Sequence, residues 1–112
     1  MKPLNEVIIL VTEGPGERNE NGFRESVILK QSEVFAAMES VKRSEYYEAL
    51  RAGDYVSATF TMNKDDYEEG IVTNDDGKYK PNKVFYEDVE YVIQRTYRKD
   101  SQYLELIVKE VE

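Results

Sequence analysis

The densest run of potentially reactive side chains is acidic. Asp65, Asp66, Glu68 and Glu69 fall within five positions, and Asp75 and Asp76 follow shortly after. A calcium loop needs oxygens at alternating positions closed by a bidentate Glu at a set distance, and Asp75-x-Gly77 lacks that pattern. An acid and base pair acting on a sugar needs one carboxyl desolvated to raise its pKa, whereas these lie in a strongly polar, turn-rich stretch. The run reads as solvated acidic surface, and no catalytic, metal or cofactor residue is assigned.

The rest of the composition narrows the chemistry further. There is no Cys and no His, so disulfides, thiolate nucleophiles and the commonest general base near neutral pH are excluded. Gly14-Pro15-Gly16 has no Gly-Lys-Ser or Gly-Lys-Thr after it and reads as a turn. Arg95, Arg98, Lys99 and Lys109 form a modest basic strip, which Glu105 and Glu110 are placed to neutralise across strands. With 23 acidic against 15 basic residues the net charge is −8, which opposes wrapping nucleic acid by phosphate neutralisation. The longest apolar run, from Val7 to Val11, is too short for a membrane span and lacks the features of a signal peptide. A soluble protein made inside the cell is expected.

The elements that must carry these residues are mostly strands. Residues 6–12 form a β-branched apolar run ended by Glu13-Gly14-Pro15-Gly16, and a polar, mobile loop is expected over 14–22, closed by the turn dipeptide Asn21-Gly22. The chain resumes as a strand from Phe23, making a hairpin. Over 33–41, alternation places Val34, Ala36 and Met38 on one face with Phe35, Ala37 and Val41 less regularly on the other. A helix also fits Val34, Ala37, Met38 and Val41, and strand is the preferred reading.

A short helix is expected over 44–52, with Ser44 as N-cap, Glu45 in the first turn, Arg51 in the last and Gly53 ending it. Alternation then places Val56, Ala58, Phe60 and Met62 on one face of a strand and Tyr55, Ser57, Thr59 and Thr61 on the other. Residues 63–82 read as a flexible, exposed excursion, and 83–111 as a three-strand meander with turns at Glu87-Asp88 and 98–101. The prediction is one domain over 1–112, mainly β. It is a small antiparallel β-barrel of about six strands with one short α-helix, since closure removes exposed edges.

Two adjacent tyrosines on the short helix, Tyr46 and Tyr47, point about 100° apart, so both cannot face one small core and one is available to a partner. The order of features resembles the head-tail adaptor family of long-tailed bacteriophages, also called head-closure, stopper or connector proteins. The resemblance is carried by Asn21-Gly22-Phe23, by Val34-Phe35-Ala36-Ala37-Met38-Glu39, and by Ser44-Glu45-Tyr46-Tyr47-Glu48-Ala49. It continues through the hairpin from Val84-Phe85-Tyr86 to Tyr91-Val92-Ile93 and the closing Leu104-Glu105-Leu106, covering about 7–111. The acidic 63–82 stretch exceeds the family's pattern and reads as an insertion.

The resemblance implies a virion component of the phage neck, synthesised in the host cytoplasm and not an enzyme. It would be monomeric when isolated and would dock as a ring of about twelve copies between the portal and adaptor rings and the tail-completion protein. Such a ring closes the DNA-filled head and provides the tail attachment site. The resemblance also assigns Arg43, Glu45, Tyr46, Tyr47, Glu48 and Arg51 to the channel or a partner. An acidic channel wall fits DNA that passes without tight binding. Three other readings compete: a tail-completion or terminator protein, an acidic DNA mimic that inhibits a host DNA-binding enzyme, and a small carboxylate hydrolase.

Overall fold

The computed structural model describes residues 4–18, 20–39 and 58–111. The chain order is β1 (Glu6–Arg18), β2 (Arg24–Glu39), β3 (Ala58–Asn63), α1 (Lys64–Glu69), β4 (Val72–Asn74), β5 (Gly77–Tyr79), β6 (Lys83–Tyr86), β7 (Val89–Arg98) and β8 (Tyr103–Glu110). Six strands close an antiparallel barrel in the order β1-β2-β3-β8-β7-β6, while β4 and β5 form a separate two-stranded hairpin. The barrel and the mainly β class agree with the sequence reading, and residues 33–39 are strand.

Alternation explains which side chains fill the barrel. Ile8 and Leu10 of β1, Val34 and Ala36 of β2, and Ala58, Phe60 and Met62 of β3 point inward. They meet Val84, Tyr91, Leu104, Leu106 and Val108 from the meander, and all are buried. Phe60 is the hub, with Tyr86 and Tyr91 presenting ring edges to it at centroid distances of 5.4 and 6.0 Å. Edge-to-face pairs of this kind add about 1 kcal/mol each beyond area burial. The Tyr86 hydroxyl leaves the core to donate to Glu6 Oε2 at 2.9 Å, so the ring is apolar at one end and satisfied at the other.

Closure is uneven. The seam between β1 and β6 consists of three residue pairs, Ile9 with Phe85, Leu10 with Val84 and Val11 with Lys83. By contrast, β7 and β8 are paired from Tyr91 with Glu110 through to Arg98 with Leu104. Asn82 extends the short seam on both sides: its backbone N–H donates to the Val11 carbonyl, and its side-chain oxygen accepts from the Glu13 N–H.

Two expectations require correction. The region 14–22 is not a loop throughout, because β1 continues to Arg18, pairing Gly14 with Val27 and Pro15 with Ser26. Register shifts between Thr12 and Glu13 and between Pro15 and Arg18 accommodate the Gly-Pro-Gly sequence. Proline is tolerated there because, among the described residues, β1 has no second strand neighbour at Pro15 to receive an N–H bond. The turn is confined to the residues around Gly22, whose φ of 81° is the left-handed conformation glycine supplies.

The 63–82 region is not an unstructured excursion either: it contains α1 and the β4-β5 hairpin. Asn63 caps α1, its side chain accepting from the Asp65 N–H at 2.9 Å, and Asp65 and Asp66 in the first turn complement the helix dipole. Tyr67 from α1 is buried in the barrel core. The strand expected through Met62 is present as β3, and both of its faces are covered, since Thr59 and Thr61 are buried along with Ala58, Phe60 and Met62. The helix expected over 44–52, and the beginning of the strand expected from Tyr55, lie outside the described residues.

Candidate functional surface

The six residues assigned to a channel or partner by resemblance, Arg43, Glu45, Tyr46, Tyr47, Glu48 and Arg51, also lie outside the described residues. The described surface has two other features that sequence reasoning did not single out, and both are built on β1 and β2.

The first is an arm. With 16 residues β2 is the longest strand among those described, yet it pairs with β3 only at Ala36, Ala37, Met38 and Glu39. Past Val11, β1 leaves β6. Beyond these points, among the described residues, the two strands have only each other as ladder partners and project from the barrel, in a molecule whose longest dimension is 47 Å. An isolated two-stranded ribbon is marginal in water, and here the α1 and β4-β5 segment supports it. Thr12 Oγ1 donates to the Gly70 carbonyl, Lys30 Nζ donates to the Glu69 carbonyl, and Arg24 pairs with Asp76 at 2.9 Å. Gly14 permits the close approach, since a Cβ there would lie 2.5 Å from Leu29 Cδ1 and 3.3 Å from the Tyr79 ring.

Between the arm and the turn of the β4-β5 hairpin lies an open groove of about 440 Å³. Pro15, Gly16, Val27 and Leu29 form its apolar lining, and Glu17, Arg24 and Asp76 form its polar rim. Arg24 and Asp76 already satisfy one another. The lining contains no nucleophile and no converging set of free polar groups, so what it offers a ligand is apolar contact. Among the described residues no group of three or more acidic side chains is arranged to hold a metal ion.

The second feature is on the barrel wall. Val7 and Phe35 are direct cross-strand partners whose chain neighbours Ile8 and Val34 are buried, so both point outward. Phe35 is 62% exposed and Val7 49%. Ile9 and Phe85, paired across the seam on the same outer face, extend the apolar patch. Together these residues form a contiguous apolar patch on the outer face of the barrel, and contiguity rather than the exposure of one side chain is what distinguishes it. The signal of Phe35 in the sequence was parity: Glu33 and Gln31 share its alternation, and that polar register marks the outer face.

Charge is distributed unevenly over these features. Arg18 and Arg24 are cross-strand partners near the arm tip, a like-charged pair in an otherwise acidic chain. Arg24 is neutralised by Asp76, whereas Arg18 has no ion-pair partner among the described residues. On the wall, Glu33 beside Phe35 is exposed and likewise has no ion-pair partner among them. Lys83 bridges Glu13 at 2.7 Å and Glu90 at 3.1 Å. Hydrogen bonding from Lys83 is the main cause holding the Glu13 carboxyl below its ordinary value, and bonding to Glu13 and then Glu90 raises Lys83.

No family model and no curated protein sequence matches the chain.

The acidic cluster is dispersed by the fold. Asp65, Asp66, Glu68 and Glu69 lie around one short helix, with Glu68 paired to Lys64 at 3.6 Å, while Asp76 serves the arm through Arg24. The basic strip is divided too. Lys99 reaches Glu105 at 3.4 Å and Glu39 at 3.7 Å, and Arg95 donates to the Tyr97 hydroxyl.

Proposed function

We propose that this protein is a structural part of a bacteriophage neck, a ring-forming head-tail connector that closes the DNA-filled head and offers the tail its attachment site. The observation that carries the reading is the pairing of a small closed barrel with a projecting arm and an exposed aromatic wall. A barrel supplies a rigid body with few open edges, and two separate exposed surfaces on one small chain suit a protein that works by fitting between larger bodies. The order of motifs that resembles the head-tail adaptor family supports the same reading.

In this reading the chain lies between the portal and adaptor rings and the tail-completion protein, in the neck of the virion. Its net charge of −8 keeps passing DNA from adhering, because a wall of like sign gives phosphates no counterion release to gain. The functional residues are those that make contacts, and no reaction is assigned to them.

Electron microscopy of particles assembled without the protein tests the proposal. The expected result is DNA-filled heads that leak and tails that remain unattached. Normally joined virions would overturn it, and binding of the purified chain to isolated tails but not to filled heads would transfer it to the tail end.

A further inference from the structure

Asparagine and aspartate react with their own backbone most readily when glycine follows, because the glycine nitrogen carries no side chain to crowd its approach to the carbonyl carbon. The sequence holds two such pairs, Asn21-Gly22 and Asp76-Gly77. The fold treats them oppositely. Gly77 is paired with Asn74 in the β4-β5 ladder, the Asp76 N–H donates to Asn74 Oδ1 at 2.8 Å, and the Asp76 carboxylate is 2.9 Å from Arg24. An ionised carboxylate held by a guanidinium is a poor electrophile, and its side chain is kept from swinging onto the next nitrogen. Asn21-Gly22 stands past the last β1 to β2 pair, Arg18 with Arg24, at the tip of the arm. Both residues are exposed, and a Cβ built on Gly22 would meet no atom within 4 Å beyond its chain neighbours, so the space around the attacking nitrogen is open.

We infer that the arm tip is a self-modification site, at which the folded chain converts Asn21 into a mixture of aspartate and isoaspartate with water as the only co-reactant. The Gly22 backbone nitrogen gives up its proton to water and bonds to Asn21 Cγ. The bond from Cγ to Nδ2 breaks, and Nδ2 takes up a proton and departs as ammonia. The product is a succinimide ring, which water opens at either carbonyl. Cleavage of the new bond between Cγ and the Gly22 nitrogen gives aspartate. Cleavage of the original peptide bond leaves the chain running through Cγ, as isoaspartate with a free α-carboxylate. Neither step oxidises or reduces any atom.

Position decides what the change does. Isoaspartate lengthens the backbone by one methylene, which inside a ladder would disturb the register of the strands. Beyond Arg18 and Arg24 there is no β1 to β2 pairing left to disturb, and loop tips tolerate insertion. The product carries one negative charge more than the −8 of the starting chain, and gains it beside the cross-strand pair of Arg18 and Arg24. The other asparagines are followed by Glu6, Glu20, Lys64, Asp75 and Lys83, whose side chains crowd the attacking nitrogen. The arm tip therefore changes with the age of the molecule while the barrel does not.

The test warms the folded full-length chain at neutral pH, well below its thermal midpoint, in oxygen-18 water, with a parallel sample in guanidinium chloride as the unprotected reference. Ring opening consumes water, so oxygen-18 marks each residue that has reacted, and tryptic digestion with electron-transfer fragmentation locates it and separates aspartate from isoaspartate. In the folded chain the label should enter residue 21 in both forms, at a rate within about tenfold of the denatured one. A more acidic peak should grow on anion exchange in step with it. Asp76 should take up label in the denatured sample and not in the folded one. Gly22→Ala should retain the wild-type circular dichroism, because the tip lies outside the barrel, and should slow labelling at residue 21 by about tenfold or more.

Absence of label at residue 21 of the folded chain overturns the inference, whatever the denatured sample shows. Earlier labelling of Asp76 or of another asparagine in the folded chain overturns it too, as does aspartate formed without isoaspartate, which would mean direct hydrolysis of the side-chain amide. An unchanged rate in Gly22→Ala would remove the open approach to the nitrogen as the cause. None of these results bears on the neck assignment, which the particles assembled without the protein decide.

Discussion

The Thr12 hydroxyl donates a 2.6 Å hydrogen bond to the Gly70 carbonyl, in a buried position where the two residues are 58 apart in sequence. This bond links β1, where it leaves the barrel, to the C-terminal cap of α1. It anchors the segment that props the arm. Thr12→Val keeps the shape of the side chain but leaves the carbonyl unsatisfied, which costs roughly 1–3 kcal/mol. Urea denaturation should show a lower midpoint with an unchanged slope. Wild-type stability would show that the bond contributes nothing net.

The turn between β6 and β7 places two non-glycine residues in the left-handed region, Glu87 at φ 50° and Asp88 at φ 65°. This is the type I′ geometry that suits a two-residue hairpin, and Asn-Gly is its preferred sequence. An L-residue held there is disfavoured by roughly 1–2 kcal/mol, partly offset for glycine by its greater freedom when unfolded. Asp88→Gly is therefore expected to raise stability by up to about 1 kcal/mol, read as a higher thermal midpoint. A lower midpoint would mean that Asp88 makes a compensating contact.

Stability should fall at both ends of the pH scale, with the ion pair of Glu13 and Lys83 contributing to each limb. The Glu13 carboxyl is held below its ordinary value of 4.5, first by the hydrogen bond from Lys83, so its contribution is present above that value and is lost as pH falls through the lowered one. Asp100 adds to the acid limb, because the backbone N–H groups of Gln102 and Tyr103 stabilise its charged form. The ammonium of Lys83 is raised above 10.5 by Glu13 and Glu90, and the Tyr86 hydroxyl is pushed up to about 12, chiefly by its bond to Glu6. Both contributions are complete below the ordinary values of these groups and are lost as pH rises through the raised ones. In urea titrations across pH, Glu13→Gln should be less stable than wild type at neutrality and converge with it in acid. A constant gap at all pH values would remove the ion pair as the cause.

Much of the barrel was legible because its signals are local. Alternation in Ala58 to Met62, the apolar run from Val7, and the meander with its Glu87-Asp88 turn identify strands without knowledge of their partners. Gly14-Pro15-Gly16 misled because a breaker cluster stops a strand only when the missing N–H is needed, and the edge position of Pro15 removes that need. The acidic 63–82 stretch hid α1 because charge density outweighed a legible cap: Asn63 followed by Asp65 and Asp66 is a helix start. The exposure of Phe35 was legible in the parity it shares with Glu33. The groove was not, since it exists only where Asp76 folds back beside Arg24, a juxtaposition of residues 52 apart in sequence that no local pattern announces.

The three-pair seam has a mechanical consequence. A cylinder stitched so briefly along one line has a preferred place to come undone: pulled or loosened, it unrolls there into a sheet running from β6 round to β1, with every other ladder still intact. Amide protons at Ile9, Val11 and Phe85 should then exchange with solvent sooner than those between β7 and β8, and a force applied through the arm would be felt first along that line.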